Sequence, residues 1–208
     1  QYQVKEIHPG EDFFFVIEQA LLELPRPLII YTLEREKAEA VLSFARKMGF
    51  NRIESFTGDT RSAKRAEIIS RWNTVGIDII VATSAFGVGM DKENVRSILH
   101  VQPPENLDRF YQEVGRSGRD GKASQSLVVF QRKDLEIAKK INESTLITVE
   151  KGLTRWRSLF SHRTRNSTES IINLTNMHEG IERHSAANQS WNWRTLLLMQ
   201  RAGFIRIE

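Results

Sequence analysis

Cysteine is absent from the 208 residues. That excludes disulfides and any zinc site built on thiolates, and it is compatible with a reducing cytoplasm. No stretch approaches the roughly 18 consecutive apolar residues of a membrane span. The opening QYQVKEIHPGEDFFF lacks the charged-then-apolar layout of a secretion signal. The Asn-x-Ser/Thr triplets at Asn142, Asn166, Asn173 and Asn188 therefore read as chance occurrences. No large excess of one charge is present either. Thirty basic residues face 26 acidic ones, a net charge of +4 that admits a polyanionic partner without requiring one.

The common phosphate-binding signatures are also missing. The chain has no G-x-x-x-x-G-K-[ST] cradle and no D-E-x-[HD] box after a strand. Gly87-x-Gly89 lacks the third glycine of a dinucleotide fingerprint, and Lys92 stands in its place. A Rossmann-type small-molecule enzyme is disfavoured on that spacing. The histidines His8, His100, His162, His178 and His184 form no metal-ligand spacing, so no metal site is expected. Trp72, Trp156, Trp191 and Trp193 are read as core or subdomain packing rather than stacking platforms.

The order of apolar runs carries more information. EDFFFVIEQALLEL (11–24) has a helical spread stopped by Pro25, and PLIIYTL (27–33) is a short buried strand. In 34–50, Ala38, Val41, Leu42, Ala45 and Met48 recur at three- and four-residue steps, an amphipathic helix ended by Gly49. Further strands are expected at 52–56, from 78 with its end at Thr83, at 96–102 and at 124–130. Further helices are expected at 60–73, from 106 with Asn106 as N-cap, and at 131–144. Strands alternating with helices over 27–130 imply an α/β domain with an open, mostly parallel sheet. Ligands of such sheets sit at the carboxyl ends of the strands. Residues 161–190 are polar. A helix over 191–202, Gly203 and the start of a strand then fit either a small helical subdomain or a winged-helix unit leading into its wing.

Three stretches carry candidate chemistry. In VATSAFGVGMD (81–91), the hydroxyls of Thr83 and Ser84 suit phosphate oxygens, and Asp91 suits a ribose hydroxyl or an arginine; a plain strand-to-loop turn is the alternative. In FTGDTRSAKR (56–65), Thr57-Gly58 precedes a helix read as capped near Thr60. A helix start suits a phosphate, but Arg61, Lys64 and Arg65 there oppose the helix dipole. A bound polyanion or solvent would relieve that conflict. In QEVGRSGRDG (112–121), Arg116 and Arg119 stand three residues apart among glycines. Two guanidinium forks on one side of a turn suit a terminal phosphoryl group. The alternative is a surface loop in which they pair with Asp120 and Glu113.

The succession PLIIYTL, SFTGDTRSAKRAEIISRW and DIIVATSAFGVGMDKENVRSILHVQPPENLDRFYQEVGRSGRDG resembles the second RecA-like lobe of superfamily-two helicases, most closely the RecQ family. Gln112-Glu113 before the arginines is the RecQ form, which favours DNA over RNA. The resemblance covers roughly residues 1–140, with departures: Asp91 replaces a frequent Asn, and the four cysteines of the RecQ zinc module are missing. It implies a RecA-like lobe over 1–145 and a helical or winged-helix-like extension without zinc over 146–208. It also implies a cleft in which ATP and Mg2+ are held mainly by a first lobe expected in cis, N-terminal to Gln1. In that reading Arg116 and Arg119 face outward to the γ-phosphate, and Gly89, Asp91 and Gln112 serve the nucleotide side. Thr57, Gly58, Thr83 and Ser84 contact DNA, single-stranded or at duplex junctions. Translocation is expected 3′ to 5′ and the location cytoplasmic, at the nucleoid in a bacterium. The chain alone is expected to hydrolyse no ATP. A non-catalytic nucleic-acid-binding or scaffolding module of helicase ancestry is the alternative.

Overall fold

The computed structural model of the chain describes residues 1–74, 76–86, 92–145, 148–165, 169–176 and 186–208. Among them two compact units separate, Gln1–Glu143 and Ser144–Glu208. The first unit is a single sheet of β1 (Tyr2–Ile7), β2 (Leu28–Tyr31), β3 (Ile53–Phe56), β4 (Ile79–Ala82), β5 (Ser97–His100) and β6 (Gln125–Gln131). The strand order is β1-β6-β5-β2-β4-β3, with every neighbouring pair parallel. Helices α1 (Phe13–Glu23), α2 (Arg35–Lys47), α3 (Ser62–Asn73) and α4 (Leu107–Val114) lie between successive strands, and α5 (Arg132–Thr145) follows β6.

The uninterrupted apolar strands follow from burial on both faces. In β2, Leu28 and Ile30 join one core with residues of α1 and α2. Ile29 and Tyr31 point the other way and join a second core with Ile68 and Trp72 of α3. Period-two alternation within an all-apolar run thus feeds two cores at once. α2 buries Ala38, Val41 and Ala45. Gly49, at φ +95°, closes it, with Gly49 N donating to Arg46 O and Phe50 N to Ala45 O.

Local differences from the sequence-based expectations have identifiable causes. β1 was not expected, and it pairs with β6 at the sheet edge. Its residues alternate with polar ones, and Tyr2 and Val4 are exposed, so no buried run marks it. α3 is not capped by Thr60. Its N-cap is Arg61, without a side-chain bond, because Thr60 Oγ1 is taken by the Thr57 amide at 2.9 Å. β4 ends at Ala82, one residue before Thr83, whose amide bonds Phe56 O at 3.2 Å instead.

The second unit contains α6 (Val149–Ser161), the antiparallel pair β7 (Thr164–Arg165) and β8 (Ser170–Ile171), and α7 (Ala186–Arg201). α6 packs on α7 through polar atoms as well as the buried Leu159 and Leu196. Arg155 Nη1 donates to Asn188 Oδ1 at 2.8 Å and Asn192 Oδ1 at 2.9 Å, and burial pushes its pKa down. Asn192 Nδ2 in turn donates to the Leu174 and Asn176 carbonyls. No strand starts after Gly203. The chain turns back instead: Gly203 N bonds Gln200 O and Phe204 N bonds Met199 O, a glycine helix terminus at φ +78°. Trp193 is 41% exposed and so is not a core residue.

Trp72 is the largest side chain under the second core, 1% exposed and edge-on to Phe86 at 6.3 Å. Trp72→Ala is expected to destabilise the first unit by about 3–5 kcal/mol. A urea titration checks this, and an unchanged midpoint would show that this core tolerates the cavity.

Candidate functional site

The loop after α4 is pinned from several sides. Asn106 caps the helix by accepting from Arg109 N at 2.9 Å. Beyond its end, Arg116 N bonds Glu113 O at 3.2 Å, and Ser117 Oγ bonds Val114 O at 2.9 Å. Gly118 sits at φ +66°, its amide bonded to Val95 O at 3.0 Å. A Cβ there would lie 2.9 Å from Lys122 O and 3.0 Å from Ser124 Oγ, so both backbone conformation and space require glycine. Asp120 is held by Arg96, which lowers its carboxyl pKa.

On this frame Arg119 is exposed, and its Nε donates to Gly115 O at 3.1 Å. Arg116 is half-buried beside the Tyr31 hydroxyl, with its Nε buried and unpartnered. Burial raises the Tyr31 pKa well above the ordinary tyrosine value, and the Arg116 guanidinium pulls the other way. The two acids that flank the arginine pair in sequence have other partners. Asp120 holds Arg96. Glu113 holds His100 and Arg109.

That second set was not anticipated from sequence. Glu113 is 5% exposed. Its Oε2 lies 3.0 Å from His100 Nε2, and its Oε1 accepts from Arg109 Nε at 2.8 Å. Arg109 Nη2 continues to the Ser84 carbonyl at 2.5 Å. Tyr31 stacks on the His100 ring at a centroid distance of 5.6 Å, and its hydroxyl donates to Phe86 O at 3.3 Å. Tyr31 and His100 are the last residues of β2 and β5, and Ser84 lies two residues past β4. The network therefore runs along the carboxyl edge of the sheet, around a cavity of about 50 Å3 lined by Tyr31, Ser84, His100 and Glu113. Beside it Gln102 Oε1 accepts from the Leu33 and Glu34 amides, and its Nε2 reaches Asp134 at 3.3 Å. Two signals existed in the sequence: Arg109 and Glu113 stand at i and i+4 of one helix, and His100 closes a strand that is otherwise apolar in its last positions.

The remaining candidates fall into two groups. Thr57-Gly58 and Thr83-Ser84 follow the adjacent strands β3 and β4 and are brought together by the Thr83 N to Phe56 O bond. Thr57 is buried, whereas Gly58 and Ser84 are exposed. Arg65 does not oppose the start of α3 as a loose cation. Its guanidinium folds back on three carbonyls, Thr57 (3.4 Å), Gly58 (2.7 Å) and Thr60 (2.7 Å), and fixes the loop. Lys64 pairs with Glu67 at 2.8 Å. Arg61 is left exposed at the helix start. Gln112 is exposed on α4, and no hydrogen bond joins its side chain to the other described residues. Gly89 and Asp91 lie outside the described residues.

Comparison with known proteins reaches the same region. The profile of the helicase conserved C-terminal domain matches residues 15–121, just over half of the chain, and ends at the glycine after the arginine pair. The chain belongs to this family. Among curated relatives of this helicase domain, the ATP-dependent DNA helicase RecQ of Bacillus subtilis is 34% identical over 119 residues, 56% of this chain and 20% of that protein. The RecQ-like DNA helicase blm-1 of Caenorhabditis elegans is 33% identical over 121 residues, 58% of this chain and 12% of its own. The chain thus spans a fifth or less of the length of these two relatives. In fold, it is similar to the Escherichia coli DEAD-box protein SrmB, solved bound to regulator of ribonuclease activity A. The TM-score is 0.56 at 20% identity, over 71% of this chain and 85% of that one. The C-terminal domain of the DEAD-box protein Dbp5 matches with a TM-score of 0.54 at 18% identity, over 71% and 88% of the two chains. The first unit is therefore a RecA-like helicase C-terminal domain.

The glycines of the arginine loop offer a graded test. Gly118→Ala meets a backbone carbonyl and a left-handed φ, whereas Gly121→Ala at φ +76° has open space around its Cβ. Each is expected to cost about 1–2 kcal/mol for the backbone alone, and Gly118→Ala measurably more. Equal midpoints for the two in urea would show that the packing around Gly118 yields freely.

Proposed function

We propose that residues 1–145 are the C-terminal motor lobe of an ATP-dependent DNA helicase of the RecQ type, and that residues 146–208 are an accessory extension without zinc. One observation carries the reading. Arg116 and Arg119 sit on one loop whose turn between them is fixed by Gly118, at φ +66° and with no room for a Cβ, in a chain with no phosphate cradle of its own. An anion site without a cradle makes chemical sense as half of a site. The other half is then a RecA-like lobe that carries the cradle and Mg2+, and this lobe contributes the arginines from across a cleft.

In that arrangement both guanidinium groups approach the terminal phosphoryl of ATP and stabilise the charge that develops as the bond to the leaving group breaks. Arg116 fits the part because its Nε is buried without a partner and its guanidinium stands beside the Tyr31 hydroxyl. Arg119 fits because it is exposed on a turn that glycine alone can make. Gln112 lies on α4, just before the arginine loop, and Gly89 and Asp91 would serve the nucleotide. Thr57, Gly58, Thr83 and Ser84 form the adjacent DNA-facing edge, where backbone amides and hydroxyls bind phosphates without reading sequence. DNA and the 3′ to 5′ direction come from the resemblance to RecQ helicases. Lobe closure over a single strand would convert ATP turnover into movement, and this chain alone would have no turnover.

The test uses the protein with both lobes. Arg119→Ala and Arg116→Ala are each expected to lower kcat for ATP about 1,000-fold or more, the range seen when an arginine finger is removed, with affinity for single-stranded DNA little changed. Near-normal turnover in Arg119→Ala would remove the finger role. A parent protein with no ATPase would favour a binding or scaffolding module instead.

A further inference from the structure

Resting on that reading, we propose that Arg109, clamped by Glu113, is a positioning residue that ties α4, the helix leading into the arginine loop, to the backbone at Ser84 after β4 and thereby couples DNA contact to ATP hydrolysis. Sheet order alone does not connect these two places. α4 follows β5, Ser84 follows β4, and β2 lies between those strands. A single guanidinium bridges them, with Nε on Glu113 at 2.8 Å and Nη2 on the Ser84 carbonyl at 2.5 Å.

The bridge is stiff for two reasons. The guanidinium is planar and always charged, so its two bonds are held at a fixed relative angle. Its anchor is stiff as well, because Glu113 is 5% exposed and has both oxygens engaged, one by Arg109 and one by His100. His100 is itself buried at the end of β5 and stacked on Tyr31. A carboxylate buried in this way cannot release Arg109, its permanently charged partner, without leaving its charge poorly compensated. Motion of the loop at Ser84 therefore draws on Arg109 and Glu113 together. Glu113 is also the residue whose carbonyl accepts from the Arg116 amide at 3.2 Å. The path from the DNA-facing loop to the first arginine of the pair is thus Ser84, Arg109, Glu113, Arg116, each step a hydrogen bond or a bonded neighbour. Arg109 itself touches neither ligand in this scheme.

The test compares ATP turnover with and without saturating single-stranded DNA, and DNA affinity, in the two-lobe protein. Arg109→Met keeps most of the stem and loses both bonds. Its ratio of DNA-stimulated to DNA-free turnover is expected to fall about 5-fold or more, at least the lower bound for coupling between two sites, while the Kd for DNA moves less than about twofold. Arg109→Lys, which can hold one partner but not both, should recover part of the ratio. Because Arg109→Met strands the buried Glu113 charge, the double variant Arg109→Met/Glu113→Gln is made alongside; it removes both charges and is expected to fold and still lose stimulation. Full stimulation in the folded double variant would overturn the inference while leaving the motor reading intact. An unmodified protein whose ATPase ignores DNA would overturn both.

Discussion

A carboxylate that water scarcely reaches must have both oxygens satisfied, and Glu113 organises the carboxyl edge of this domain by meeting that requirement. One oxygen fixes His100 at the end of β5, and the other fixes Arg109 one turn earlier on the helix that carries Glu113. The consequences spread outward. His100 is held against Tyr31, and the Tyr31 hydroxyl stands beside Arg116. Arg109 reaches the loop after β4. Glu113 is spent on these partners and Asp120 on Arg96.

The fold supplies the frame for that assignment. A parallel sheet with helices on both faces ends all its strands on one side. Two cores divided by the sheet, one under α1 and α2 and one under α3, hold the strand ends in register. The loops are then fixed by short-range devices. Arg65 gathers three carbonyls of the 57–60 loop, and Gly118 makes the turn between the arginines. Each spends a residue whose sequence context looks like a binding feature on local construction.

Much of the architecture was legible from residue pattern. β2 to β6 and α1 to α5 follow from apolar runs, three- and four-residue steps, and the stops at Pro25 and Gly49. β1 was not legible because an edge strand with Tyr2 and Val4 exposed carries no buried run. The strand expected after Gly203 failed because the glycine closes α7 back on itself. At the site, the arginine pair and the hydroxyl-bearing strand ends could be picked out by residue type. The network behind them could not. His100, Glu113 and Tyr31 acquire their meaning only when β2, β5 and α4 come together, and a lone histidine at a strand end looks like any other. Asp120 and Glu113 are adjacent to the arginines in sequence, yet side-chain direction gives them to Arg96, Arg109 and His100.

The central claim is that Arg116 and Arg119 complete an ATP site whose other half lies on a second lobe. A structure of the two-lobe protein with a non-hydrolysable ATP analogue and single-stranded DNA tests it most directly. The account predicts both guanidinium groups at hydrogen-bonding distance, about 3 Å, from the terminal phosphate, with Glu113 still holding Arg109 and His100. A terminal phosphate held away from this loop, with Arg116 and Arg119 turned onto carboxylates of their own chain, would contradict it.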